Sequence, residues 1–143
     1  MDIWQELYEK ARAQYGPQEV SPFVYAHHVV CALESENGEI FAGFCIESCC
    51  GVMGLCAERV AALNMYMSSG QTVVKRLIVF RDQPPCGAGS GMPCGACREF
   101  FLQLSLKNQA MEILVDYEKR ETITLAELVP SWWGTERYQA AGN

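Results

Sequence analysis

Cys94 and Cys97 stand two small residues apart in the stretch Pro93-Cys94-Gly95-Ala96-Cys97-Arg98. A Cys-x-x-Cys at the start of a helical pattern puts both side chains on one side of the first turn. Two thiolates placed there can share a metal ion, and the positive end of the helix favours their deprotonated form. The same spacing serves redox pairs, which normally sit in a thioredoxin-like order of elements that this chain does not have. Upstream, Cys56-Ala57-Glu58-Arg59 opens a second helical pattern. Residues two apart on a helix diverge, so Cys56 and Glu58 converge only on something beyond the helix end. A zinc ion lying off both helix N-termini satisfies all of this. Cys56, Cys94 and Cys97 would be its ligands, and Glu58 would reach a water in the open fourth position. Three protein ligands plus water is the catalytic zinc pattern, whereas four protein ligands make a structural site.

Three thiolates more than neutralise a divalent zinc and weaken it as a Lewis acid, so acidifying a bound water needs help. Two helix N-termini supply partial positive charge. Arg59 and Arg98 follow the ligand segments closely and could each donate to a thiolate sulfur. Cys86 lies in an earlier copy of Pro-Cys-Gly-Ala that lacks the second cysteine, and the spacing leaves it outside the metal turn. Cys49 and Cys50 have no assigned role.

The elements that must position these residues follow from the hydrophobic pattern. Trp4, Leu7, Tyr8, Ala11 and Tyr15 fall at helical spacing ahead of Gly16-Pro17. Residues 23–33 and 39–46 read as strands joined by a turn at Glu36-Asn37-Gly38. A helix from Cys56 to about Met67 stops at Gly70. Residues 73–80 form a strand with an almost continuous apolar end, as a buried sheet position requires. A Pro/Gly-rich loop over 84–93 leads into a helix at 94–107. A strand at 111–117 and a short helix at about 124–129, ended by Pro130, complete the core. A hairpin followed by two strand-helix-strand crossovers predicts an α/β fold, a mixed sheet with helices on its faces.

The chain has 143 residues, half of them apolar, and a formal net charge of −6. That size and composition predict one globular domain over residues 1–143. An acidic chain with scattered Lys and Arg lacks the electrostatic footprint of a nucleic-acid binder. A small-molecule partner is favoured, with no nucleic acid and no membrane. Neither an export signal nor a bilayer-length apolar run is legible, which predicts a cytoplasmic protein. In that setting the eight cysteines point to metal or catalytic use rather than a disulfide framework.

Together, Cys56-Ala57-Glu58-Arg59 and Pro93-Cys94-Gly95-Ala96-Cys97-Arg98 resemble the motif pair of the zinc-dependent cytidine deaminases, in the branch that acts on free nucleosides. The resemblance runs from the strand at 23–33 to Trp133. It implies a cytidine deaminase-like fold, three layers, α/β/α, around a mixed sheet of about five strands, and a hydrolase acting on the carbon–nitrogen bond of a cyclic amidine. Cys56, Cys94 and Cys97 would hold Zn²⁺. Glu58 would carry a proton from the zinc-activated water to the ring nitrogen and then to the leaving amine. The Ala57 backbone N–H would hold the ring carbonyl. The products would be a uridine analogue and ammonia, as in pyrimidine salvage.

The sugar side departs from the family pattern. Where the family has Asn-x-Glu-Asn, this chain has Cys45-Ile46-Glu47-Ser48. Glu47 fits, but Cys45 replaces the first Asn. His27 falls where the family's pocket-lining Phe stands. A ribose hydroxyl left without its partner costs about 1–3 kcal/mol, or about tenfold in affinity. His27 could supply a replacement bond. Blasticidin S deaminases alter the same strand in the opposite sense, keeping the Asn and losing the Glu, so a blasticidin S-type or other aminopyrimidine nucleoside is the rival substrate. Glu127-Leu128-Val129-Pro130-Ser131-Trp132-Trp133-Gly134 is similar to a family segment whose Phe enters a neighbouring subunit's pocket. Trp133 falls at that position and would stack on a planar base. The likeness implies a homo-oligomer, by family pattern a homotetramer. Two other classes compete: an inactive zinc or ligand-binding module, with Cys86, Cys49 or Cys50 as a fourth ligand, and a redox protein in which Cys94 and Cys97 oxidise and zinc is absent.

Overall fold

A computed structural model describes residues 1–142. The elements, in order, are α1 (Ile3–Arg12), β1 (Gln18–Glu19), β2 (Val24–Ser35), β3 (Ile40–Ser48), α2 (Ala57–Ser69), β4 (Val74–Phe80), α3 (Gly95–Leu104), β5 (Glu112–Asp116), β6 (Glu121–Thr124), α4 (Leu125–Leu128) and α5 (Thr135–Ala140). Short 3-10 turns occupy Gly51–Met53 and Leu106–Ala110. The expected hairpin and both crossovers are present.

The sheet is mixed and has six strands. Strand β2 is its axis, pairing antiparallel with β1, β3 and β4. Strands β4 and β5 run parallel, as a crossover through α3 requires, and β6 returns antiparallel to β5. Two of the six lie outside the strands read from the pattern: β6, and the two-residue β1, which pairs only with Tyr25 and Ala26 near the start of β2.

Two apolar layers explain why the strands read as nearly continuous hydrophobic runs. Val30 and Ala32 of β2, Ile78 and Phe80 of β4 and Leu114 of β5 pack against Trp4, Leu7 and Ala11 of α1. The alternate residues Cys31, Leu33, Leu77, Val79 and Ile113 pack on the other face, with Ala57, Ala61 and Met65 of α2 and Phe101 and Leu102 of α3. A strand covered on both faces alternates between two apolar environments rather than between oil and water.

The close seating of α2 depends on Gly43. A Cβ there would lie 2.6 Å from the Ala57 carbonyl oxygen and closer still to the Ala61 backbone nitrogen. Residue 43 therefore sets how near the N-terminal turn of α2 comes to β3. On the α3 side, the buried Asn108 ties three segments together. Its amide donates to the carbonyls of Thr72 (2.9 Å) and Phe101 (2.8 Å) and accepts from the Val74 N–H (2.7 Å).

Strand β2 carries a bulge. Ala26 pairs with Ile46 and Val30 with Phe44, so residues 27–29 stand opposite Cys45 alone. His27 takes φ of +68° at this point, a left-handed conformation that costs a β-strand residue about 1 kcal/mol or more. The bulge decides which side chains face the site.

Candidate active site

Cys56 and Cys94 are the N-cap residues of α2 and α3, both with extended backbone and neither making a side-chain capping bond. The usual Ser, Thr, Asp or Asn cap is replaced by a thiol free to turn toward a ligand. Cys97 is the third residue of α3, the position whose side chain folds back toward the N-cap in a capping box. The result is a cluster. Cys56 Sγ lies 3.5 Å from Cys94 Sγ, Cys94 Sγ lies 3.6 Å from Cys97 Sγ, and all three fall within 4.8 Å of one another. Among the described residues no fourth cysteine joins this cluster. Cys86 is exposed in its loop, with its N–H on Ser90 Oγ, and Cys49 and Cys50 are also exposed.

These donors fit zinc. A tetrahedral Zn²⁺ with Zn–S bonds of about 2.3 Å places its sulfurs about 3.8 Å apart, close to the separations above. The electrostatics agree. Burial pushes the Cys97 thiol far up, and charge on Glu58, Cys56 and Cys94 pushes it further. Burial likewise raises Cys56, against the pull of Arg59. Burial would also raise Cys94, but backbone N–H groups of Cys97 and Ala96 and the adjoining thiols bring it below its ordinary value. A set of thiols this close cannot ionise together without a cation, which is the condition a divalent metal removes.

Glu58 is the second residue of α2 and only 4% exposed. Burial pushes its carboxyl above the usual carboxylate range, against its own backbone N–H, Cys97 and Arg59. It lines a cleft of about 390 Å³ with Cys56, Ala57 and Cys94, a size within the roughly 300–1,000 Å³ of small-molecule sites. Ala57 is the first residue of α2, so its N–H has no acceptor within the helix. Arg59 donates from Nη2 to Cys56 Sγ at 3.5 Å, as its position suggested, while its Nε is buried without a hydrogen-bond partner. Arg98 does not reach the cluster. Its guanidinium donates instead to the carbonyls of Pro93 (2.8 Å) and Leu128 (3.4 Å), fastening α3 to the end of α4.

Cys45, Glu47 and Glu58 all line the same cleft, so the expected sugar end and metal end share one cavity. His27 is not part of it. Its ring stacks on Phe44 at 3.8 Å, and its Nδ1–H donates to the Gln14 carbonyl at 2.7 Å. The bulge turns residue 27 toward the α1 side and presents His28 to the cleft instead. The signal for His28 was the doubled His-His; a shift of one residue at a bulge swaps the facing side chain.

Trp132 and Trp133 part company. Trp132 is buried in the core, whereas Trp133 is 65% exposed and away from its own chain's cleft. Both indole N–H groups donate to Glu99, at 3.0 and 3.1 Å. Among the described residues no helix is long and apolar enough to cross a membrane.

No family model matches the chain. It is 33% identical over 141 residues to a cytidine deaminase of Sporosarcina psychrophila, covering 95% of this chain and 94% of that one. It is 31% identical over 111 residues to a blasticidin-S deaminase of Bacillus cereus, covering 73% and 75% of the two chains. In three dimensions it is similar to the cytidine deaminase of Mycobacterium leprae, with a TM-score of 0.68 at 23% identity over 92% of this chain and 100% of that one. It also matches the Mycobacterium tuberculosis cytidine deaminase, with a TM-score of 0.67 at 25% identity over 94% and 99%.

Proposed function

The chain belongs to the cytidine deaminase family, hydrolases acting on carbon–nitrogen bonds in cyclic amidines, and we propose that it deaminates a free cytidine- or deoxycytidine-like nucleoside with the help of zinc. The observation that carries this reading is the meeting of three thiols from two helix N-termini beside one buried carboxyl, Glu58, with Cys56, Cys94 and Glu58 lining a single cleft. Cys56, Cys94 and Cys97 would hold Zn²⁺, which when bound supplies the Lewis acidity that brings the pKa of water toward neutrality.

The chain's own groups account for the rest. Glu58 takes a proton from the attacking water and delivers it to the ring nitrogen next to the amino-bearing carbon. It then protonates the departing amino group, so that water and the amidine leave as the keto base and ammonia. A carboxyl that both accepts and donates near neutral pH works best with a raised pKa, and the burial of Glu58 supports that role. The Ala57 N–H, free at the helix start, orients the ring carbonyl. Glu47 accepts a hydrogen bond from the sugar. The exposed Trp133 suits a contact with a second copy of the chain and supports a homo-oligomer whose subunits complete one another's sites.

One observation favours a second substrate. The chain is similar to a blasticidin-S deaminase, and Cys45 stands where an amide would hold ribose, so blasticidin S is the rival. Ammonia release from cytidine, deoxycytidine and blasticidin S by the zinc-loaded protein separates the two. Cytidine or deoxycytidine should turn over fastest. A preference for blasticidin S would exchange the substrates, and no release from any of the three would end the deaminase reading. A structural zinc module would need a fourth ligand, and no other cysteine stands at the cluster among the described residues.

A further inference from the structure

Three side chains at the sugar end of the cleft form one hydrogen-bonded chain. Cys45 Sγ lies 3.2 Å from His28 Nδ1, and His28 Nε2 lies 2.8 Å from Glu47 Oε1. The Val29 N–H donates to the same sulfur at 3.1 Å. One face of the imidazole stacks on Tyr25, with centroids 4.6 Å apart. All three residues line the cleft.

The proton positions follow from what each group can do. A carboxylate only accepts, so His28 Nε2 carries the proton toward Glu47. In the neutral ring Nδ1 is then an acceptor, and the Cys45 S–H is its donor. Cys45 is 5% exposed, and burial raises its pKa against the pull of backbone donors. Both keep it a neutral thiol rather than a nucleophile, although thiol, imidazole and carboxylate in a row could otherwise form a catalytic relay. Both ring nitrogens of His28 are therefore occupied, and His28 has nothing left to offer a ligand directly. Glu47 does: its side chain is 67% exposed, and its second oxygen has no partner among the described residues.

We propose that His28 is a positioning residue that sets substrate specificity: oriented by Cys45, it fixes the Glu47 carboxylate so that its free oxygen accepts a hydrogen bond from a sugar hydroxyl. The proposal rests on the nucleoside reading above and names the device that replaces the missing amide at residue 45. It also explains the strained bulge, since without the extra residues opposite Cys45 the His28 ring would not lie between Cys45 and Glu47. An unsupported glutamate on the surface keeps its rotamer freedom and loses part of any bond it makes on ordering, whereas one pinned in advance does not.

The test is calorimetric titration of the zinc-loaded protein with uridine and with 2′,3′-dideoxyuridine, which lacks the hydroxyls. Wild type should bind uridine about tenfold more tightly, the value of one hydrogen bond to a charged group. His28→Ala should cut that preference to about twofold while leaving the dideoxyuridine affinity unchanged. His28→Gln keeps an N–H near the Nε2 position and should retain most of the preference, which guards against a folding artefact. In a Glu47→Ala background, His28→Ala should have no further effect on the preference, because His28 acts through Glu47. The proposal is overturned if wild type binds the two ligands equally or binds neither, if His28→Ala weakens both alike, or if the two substitutions add. Ammonia release from cytidine is read in parallel. Its absence beside an intact His28-dependent preference would remove the reaction and leave this inference standing.

Discussion

At one end of the cleft the reactive side chains stand on two helix N-termini; at the other they stand on strands distorted by a bulge. The proposed metal end draws on two contiguous motifs, each beginning at an N-cap. Once the helix start is known, helical geometry fixes where Cys56, Glu58, Cys94 and Cys97 point. The proposed sugar end draws on the single residues 28, 45 and 47, and their meeting depends on the register of β2 against β3. Chemistry that needs charge stabilisation sits where the backbone supplies it. The proposed specificity sits where a one-residue shift can change which side chain faces the cleft.

The comparison predicts unequal responses to substitution. At the metal end, Cys94→Ser or Cys97→Ser should lose zinc and with it all turnover, whereas Cys86→Ser should keep full zinc; metal analysis per chain reads both. If Cys86→Ser also lost zinc, the ligand set would be wrong. Next in size, Glu58→Gln should retain zinc and lose about 10²–10⁴-fold in kcat, the usual contribution of a positioned acid-base group. An unchanged rate would take Glu58 out of the mechanism.

Between the two ends lies Gly43, where β3 touches α2. Gly43→Ala forces the helix back from the strand and should cost about 1–3 kcal/mol in chemical denaturation. It should also lower kcat, because Cys56 and Glu58 ride on the displaced turn. A variant as stable and active as wild type would mean that the α2 seating does not govern the site. Smallest of all, His27→Asn should leave KM for cytidine unchanged and shift only Tm, since His27 contacts Phe44 and Gln14 rather than the cleft. A raised KM would return His27 to the sugar pocket.

The same contrast governs what could be read from the amino acids. The hairpin, both crossovers and the two ligand helices were legible because each rests on local periodicity and punctuation. The helix expected over 94–107 ends instead at Leu104, where Ser105 takes an extended conformation and caps the following 3-10 turn. Strand β1 offers only two exposed polar residues, and β6 reads Glu-Thr-Ile-Thr with little apolar content, so neither carries a hydrophobic signal. Helix α5 has no buried residue to reveal it. Asn108 was invisible because its partners lie 7 to 36 residues away. The exchange of His27 for His28 has the same origin: alternation along β2 was legible, but the bulge that breaks it belongs to the pairing with β3.

The most direct test of the central claim is the rate of ammonia release from cytidine as metal-free protein is titrated with Zn²⁺. The account predicts a rate that rises in proportion to bound zinc and levels off at one ion per chain, with no activity before the first addition. A rate that ignores zinc, or a protein that binds zinc stoichiometrically and still releases no ammonia from cytidine, would contradict it.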